Sequence, residues 1–349
     1  MMTLPNKFNR RSFVLGAGGA AATTLAMPSI ARAQTVLRMQ TIDPPAFVGP
    51  STTLPNFAKA VKEMSGGDMR VEVFTAGQIV PTAEIPAGLA AGVVDLAYTS
   101  NVYYTGSLKE NVLSYSALPP MLINSLDDGK QIYIYDGIDE IIAEAYRPEG
   151  VEFLGSVFLG DPITFWSKQP IESVKNLGGF KVRSFGFAAK TMEKLGAAPV
   201  FMPHEEVYTA LAQGTVDGSM TNASYYKRAK YFEVAPYIYH PGWYNFTHMC
   251  AMASGPTWER LNDTQRAIIR HAIRGLSNET AHYTWLEYRQ MLTELEGMGS
   301  TLITWSDEDA AAVRAAALGF LPEIRAASAE VDRGIKIMED HNLALYGAQ

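Results

Sequence analysis

The chain has 349 residues, more than one hydrophobic core usually serves, so two lobes or domains are expected. Hydrophobic residues at 47% against 19% charged exclude a disordered chain. The 29 Lys and Arg against 36 Asp and Glu, a formal charge of -7, argue against a nucleic-acid partner, because phosphate contacts need clustered cations. One cysteine, Cys250, rules out an intrachain disulfide framework, a CxxC pair and an iron–sulfur centre; set in an apolar run, it reads as a buried thiol.

Taken in chain order, residues 1–33 read as an export signal and not as part of the fold. Lys7, Arg10 and Arg11 form a basic head, Phe13 to Ile30 is apolar and rich in Gly and Ala, and Ala31-Arg32-Ala33 is a small-residue cleavage site. Adjacent Arg10 and Arg11 just before the apolar stretch follow the twin-arginine pattern. Removal takes four of the 29 basic groups and no acid, so the formal charge moves from -7 to -11. No later stretch approaches the ~18 consecutive apolar residues of a membrane span.

Val36–Gln40 reads as a strand. A helix capped by Ser51 or Thr52 follows, with Leu54, Phe57, Ala58, Val61 and Met64 at helical spacing, and Gly66-Gly67 ends it before the strand Val71–Phe74. Residues 125–146 read as mostly helical, and Val151–Val157 and Ile163–Ser167 as strands. Phe180–Ser184 is a strand after a Gly-Gly turn; a helix over 187–195 stops at Gly196 and leads into the strand Pro199–Met202. Thr247–Ala253 is a strand, Asp263–Met298 a very long helix, and Thr301–Trp305 a strand before two terminal helices.

The chain says one thing twice. Ala87–Tyr104 reads AGLAAGVVDLAYTSNVYY and Thr209–Tyr226 reads TALAQGTVDGSMTNASYY, with Gly92/Gly214, Asp95/Asp217, Thr99/Thr221 and Tyr103/Tyr225 among the identities at a constant offset of 122. Each segment reads as a helix end, a Gly stop, a short strand and a polar exit loop. Two equivalent α/β lobes follow, with ligand sites expected at strand C-terminal ends.

Nucleotide, metalloprotease and serine-hydrolase signatures are absent after residue 33, and the six histidines are scattered, reading as structural. Asp95 and Asp217 each follow a Gly stop and start a strand, where a carboxylate bonds nearby backbone N–H groups; that structural role outweighs a catalytic pair. What is present suits binding. Arg183 sits in a strand with Lys181 on the same face, and a guanidinium facing a cleft grips a carboxylate with two parallel hydrogen bonds. Thr99, Ser100, Asn101, Thr221 and Asn222 lie just past their strands as neutral donors and acceptors, and Tyr103, Tyr225 and Trp166 are candidate walls of the cleft.

An ordered set of short motifs carries a resemblance. It runs from Phe57-Ala58 with Ser65-Gly66-Gly67, through Gly77-Gln78 and Gly92-Val93-Val94-Asp95, to Pro170-Ile171 and Asn176-Leu177-Gly178-Gly179-Phe180-Lys181-Val182-Arg183. Leu195-Gly196-Ala197, residues 206–211, Gly214-Thr215-Val216-Asp217-Gly218, Glu233-Val234, Trp258 and Leu261 complete it. The chain resembles the solute-binding proteins of TRAP transporters, of the DctP type. The resemblance implies a two-lobed periplasmic binding protein fold of class α/β, with a ligand cleft between lobes and a long shared helix. Lobe I is expected over 34–160 plus about 249–288, and lobe II over 161–248 plus about 289–349.

It also implies a periplasmic protein, not an enzyme, that captures a small organic acid and hands it to small and large membrane subunits of a permease. The family's carboxylate-binding arginine falls on Arg183 and its polar position on Thr221, with Asn222 beside it. Members commonly carry a second arginine before the Pro-Ile pair. Pro162–Ser167 has none, which points to a monocarboxylate. Subgroups that hold a keto acid through a metal use acidic and tryptophan residues where this chain has Met220-Thr221-Asn222, so no metal and no cofactor are expected. The alternatives are an exported enzyme acting on a small organic acid, or a ligand-reporting receptor of the same fold.

Overall fold

The computed structural model describes residues 34–346; the export-signal reading of residues 1–33 lies outside them. The described strands are β1 (Thr35–Thr41), β2 (Met69–Phe74), β3 (Leu96–Thr99), β4 (Val151–Leu159), β5 (Ile163–Ser167), β6 (Lys181–Arg183), β7 (Ala198–Val200), β8 (Gly218–Asn222), β9 (Tyr237–His240), β10 (Thr247–Ser254) and β11 (Thr301–Thr304). They form two sheets, ordered β2-β1-β3-β10-β4 and β11-β9-β5-β8-β6-β7. Strands β3, β5, β8 and β10 are buried along their whole length, as strands covered on both faces should be.

The second sheet repeats the first. β1 pairs in parallel with β2 and β3, and β6 pairs in parallel with β7 and β8. An antiparallel strand then flanks each trio, β10 on β3 and β5 on β8. The two Val-Asp segments occupy equivalent places. Asp95 Oδ2 accepts from Arg38 N (2.9 Å) while Asp95 N donates to Arg38 O (3.0 Å). Asp217 Oδ2 accepts from Lys181 N (3.1 Å) while Asp217 N donates to Lys181 O (2.7 Å). Each aspartate thus staples its strand to the parallel neighbour. The glycines before them, at φ +71 and +74, take the left-handed conformation that ends a helix without a Cβ penalty.

The sheets are joined at residues 160–162 between β4 and β5, at residues 241–246 between β9 and β10, and by the helix Asp263–Glu294. That helix starts with a capping box of Asn262 and Gln265 and runs through Gly275 unbroken. Its N-terminal half packs on β4 and the helix Leu54–Met64, with Ile269, Ile273 and Leu276 in the first core. Its C-terminal half packs on the helix Ala223–Arg228, with Met291 in the core around Trp166 and Tyr226. One rigid rod therefore spans both layers.

Gly160 shows how tightly the crossing is set. Its N–H donates to Thr284 Oγ1 (2.8 Å), and a Cβ there would collide with the Ala281 carbonyl oxygen and the Trp285 Cβ. Gly160→Ala should destabilise the protein by about 1–3 kcal/mol in urea unfolding, because backbone of the long helix cannot yield; an unchanged midpoint would contradict this packing.

The structure departs from the sequence reading in three places. The helix Ala329–Tyr346, expected with lobe II, lies against the first sheet's layer: it packs on Ile138–Tyr146 and Lys109–Leu113, and His341 bridges Asp128 (3.1 Å) and Asp136 (3.3 Å). Its buried face of Val331, Ile335 and Met338 finds an apolar partner there. The helix Leu54–Met64 begins with no side-chain cap from Ser51 or Thr52. Strand β9 was not anticipated: the sequence reading assigned no element to Tyr237–His240.

Candidate functional site

Arg183 ends β6, opposite Val200 of β7 and Ser219 of β8. Lys181 and Arg183 share a face of this strand, but Lys181 at its start stays in water while Arg183 at its C-terminal end is 1% exposed. Its Nε donates to Met202 O (3.0 Å) and its Nη1 to Met220 O (2.9 Å), which fixes the guanidinium plane. Its Cζ lies 5.1 Å from the Phe185 ring centroid, a cation–π contact. Among the described residues no carboxylate pairs with it within 4.0 Å. A buried guanidinium held only by neutral groups is a costly arrangement, and an anion is what would balance it.

A cavity of about 30 Å³ adjoins this guanidinium and is lined from both layers. Arg183, His204, Thr221, Asn222 and Tyr225 face it from the second, and Ser100, Tyr103, Ser116 and His248 from the first. Thr221 Oγ1 donates to Asn222 Oδ1 (3.2 Å). Asn222 Nδ2 and His204 Nδ1 are buried with no hydrogen-bond partner, two polar atoms beside the guanidinium that a small polar ligand can satisfy. Burial, then the Arg183 charge, hold His204 well below 6.5, so it is neutral there. The Tyr103 hydroxyl is pushed up to about 12 by burial, partly offset by the adjacent Arg183 charge and hydrogen bond, so it stays a neutral phenol.

Of the residues singled out in the sequence, Arg183, Thr221, Asn222, Ser100, Tyr103 and Tyr225 converge on this cavity. Three do not. Thr99 Oγ1 hydrogen-bonds the Tyr104 hydroxyl (2.6 Å). Asn101 donates to Asn111 Oδ1 (2.9 Å) and accepts from Cys250 Sγ (2.7 Å), inside the first layer. Trp166 is fully buried against Tyr226 and Tyr231, with ring centroids 5.6 and 5.2 Å away. Thr99 ends β3 and Asn101 opens the 3-10 turn Asn101–Tyr104, and both turn into the first layer; Ile163 faces the cavity, so Trp166 three residues on lies on the opposite face of β5.

His204, His248, Ser116 and Phe185 were missed. His204 and Phe185 follow strand C-terminal ends, a signal the sequence offered; Ser116 and His248 are brought in by distant segments and offered none. His248, lowered to about 3 by burial, is neutral and held between Ser114 Oγ (3.0 Å) and Ser156 Oγ (2.7 Å), while its carbonyl oxygen accepts from Ser100 Oγ (3.4 Å).

Below the cavity, Tyr225 ties the layers together. Its hydroxyl donates to Asp43 Oδ1 (2.7 Å), in the loop after β1, and its ring lies 3.8 Å from that of Phe47. Burial raises Asp43 to about 7, against the Tyr225 hydrogen bond and reinforced by the charge of Asp161. Asp161, in the β4–β5 crossing, is raised to about 6 by burial, against hydrogen bonds from Ser224, whose N–H donates to Oδ2 (2.8 Å). Among the described residues no group of three or more His, Cys, Asp or Glu is placed to hold a metal ion, and no helix is long and apolar enough to cross a membrane.

Comparison with known proteins adds to this geometry. Residues 51–326 match the family model described as bacterial extracellular solute-binding protein, family 7, DctP. A monocarboxylate 2-oxoacid-binding periplasmic protein of Nostoc sp. is 27% identical over 277 residues, 75% of this chain and 71% of that one. A TRAP periplasmic solute-binding protein of Chromohalobacter salexigens with bound (S)-(+)-2-amino-1-propanol superposes with a TM-score of 0.80 at 23% identity, covering 89% of this chain and 96% of that one. One of Pseudoalteromonas atlantica with bound sodium and pyruvate gives 0.80 at 23% identity, covering 89% and 95%.

Proposed function

From the premise that the chain belongs to family 7 of the bacterial extracellular solute-binding proteins, the DctP family, we propose that it captures a small monocarboxylate at Arg183, between the two sheets. The observation that carries this reading is the guanidinium that is 1% exposed and held by two backbone carbonyls. A carboxylate that takes its free donors forms a charge-assisted pair in a dry setting and is oriented by Thr221, Asn222, Ser100 and the Tyr103 hydroxyl. Tyr225 acts through its ring and its bond to Asp43, helping to close the layers on the ligand. The Nostoc relative's 2-oxoacids and the pyruvate of the Pseudoalteromonas protein are monocarboxylates, in keeping with one buried arginine.

The lobes are those built on the two sheets, with the long helix shared and the terminal helix riding on the first. At about 30 Å³ the cavity holds little more than one water's share of volume, so an acid enters by separation of the lobes and is enclosed on closure. Export by the twin-arginine route, residence in the periplasm and delivery to the small and large subunits of a TRAP permease complete the reading. A thermal-shift screen over short organic acids tests it: a monocarboxylate at 100 times its Kd should stabilise the protein by about 2.7 kcal/mol. A screen in which dicarboxylates or neutral solutes stabilise and no monocarboxylate does would overturn it.

A further inference from the structure

We propose that the groove next to the Arg183 cavity is a second subsite of the same cleft, one that takes the apolar body of the acid. The ligand class is then a monocarboxylate bearing an aryl or alkyl tail, not a short hydroxy or keto acid. The proposal rests on the carboxylate reading above and deepens it.

The two spaces divide a ligand between them. The cavity at Arg183, about 30 Å³, has room for a carboxylate and little more. The groove beside it is about 610 Å³, within the roughly 300–1,000 Å³ typical of small-molecule sites. Val102, Tyr103 and Phe185 belong to the walls of both. Tyr103 is the partition: its hydroxyl lies against Arg183 on one side and its ring packs edge-on to Phe201, centroids 5.8 Å apart, on the other. An acid whose carboxylate reaches the guanidinium past this ring must lay its remainder along the groove.

The groove wall is mainly apolar, with Thr105, Lys109, Ser184, Lys190 and Glu323 as its polar members. Val112, Phe185, Phe187, Val200, Phe201 and Ile324 supply its apolar part. Phe201 is 54% exposed and Val200 39%, where they end or follow the edge strand β7 and polar residues would cost nothing. Apolar surface of this kind at the mouth of a polar cavity gains from covering by an apolar tail. At the rim, Lys190 pairs with Glu323 and lies 4.5 Å over the Phe187 ring, so that acid is neutralised and does not repel an entering anion.

The groove also belongs to the closing cleft. Its walls come from both layers, and the layers touch at its floor, where Phe187 N donates to Ala117 O (2.9 Å). Gly186 permits that approach: it sits at φ +51, and a Cβ would come within 2.8 Å of Ala117 backbone atoms. A tail lying there is held when the lobes close.

The test is titration calorimetry on protein stripped of bound small molecules, with two probe pairs that share a head: pyruvate against phenylpyruvate, and acetate against phenylacetate. The phenyl member should bind at least tenfold tighter, and Phe201→Ser should cut that ratio to below threefold. Phe201 is more than half exposed, so this variant should fold; a circular-dichroism melt checks that it does. If the short acids bind as tightly as their phenyl partners, or if Phe201→Ser leaves the ratio intact, the subsite is overturned and the carboxylate reading stands. If none of the four probes binds, the carboxylate reading falls and the subsite falls with it.

Discussion

Arg183→Ala should weaken binding of the cognate acid at least tenfold in titration calorimetry. Loss of one partner of a buried, hydrogen-bonded charge pair costs on the order of 2–5 kcal/mol, and tenfold in affinity is about 1.4 kcal/mol. The mutation would leave a carboxylate against neutral groups and strip the Met202 and Met220 carbonyls of their donors. Arg183→Lys should also bind weakly: an ammonium on a flexible stem cannot hold both carbonyls and a carboxylate in one plane. Arg183→Met separates binding from folding. It removes a buried charge that has no carboxylate partner among the described residues, which offsets the lost bonds to the Met202 and Met220 carbonyls, so the ligand-free variant should still unfold in one cooperative melt while its affinity collapses. Unchanged affinity in Arg183→Met would remove Arg183 from the site.

Asp43→Asn should flatten the pH dependence of stability. Asp43 rises from an ordinary 3.8 to about 7 in the folded protein, so the native state binds its proton more tightly than the unfolded chain does. Its contribution is therefore fully present below pH 3.8 and is lost as pH rises through about 7; Asp161 adds the same trend through about 6. The wild type should lose roughly 2–4 kcal/mol between pH 4 and 8 relative to Asp43→Asn, measured by urea unfolding at both pH values. Asparagine keeps an oxygen for the Tyr225 hydroxyl, so the link between layers survives the change. Parallel pH profiles for the two proteins would show that folding does not raise Asp43 at all.

Much of the candidate site could be read along the chain because strand geometry is local. Alternation put Lys181 and Arg183 on one face, and the strand's C-terminal end is where Arg183 alone becomes buried. Three other candidates fall away. Thr99, Asn101 and Trp166 are of the right chemical type and sit at the right strand ends, but each turns into a core. Which face meets the cleft depends on how the two sheets oppose each other, and no short window contains that. His248 and Ser116 belong to the same class: they reach the cavity only because β10 inserts beside β3.

By itself, the sequence determined the class of fold and its internal duplication. Those rest on local codes: Gly stops at positive φ, Val-Asp strand starts, apolar periods of two and 3.6, and an uninterrupted long helix. Tertiary structure alone decided the rest. It placed the helix Ala329–Tyr346 on the first layer, because its apolar face finds its partners on residues 109–113 and 138–146. It made Asp43 and Asp161 buried neighbours under Tyr225, although they lie far apart in the chain, and so moved both toward neutral pH. Burial and charge proximity are properties of the packed whole, and they set the electrostatics of this cleft.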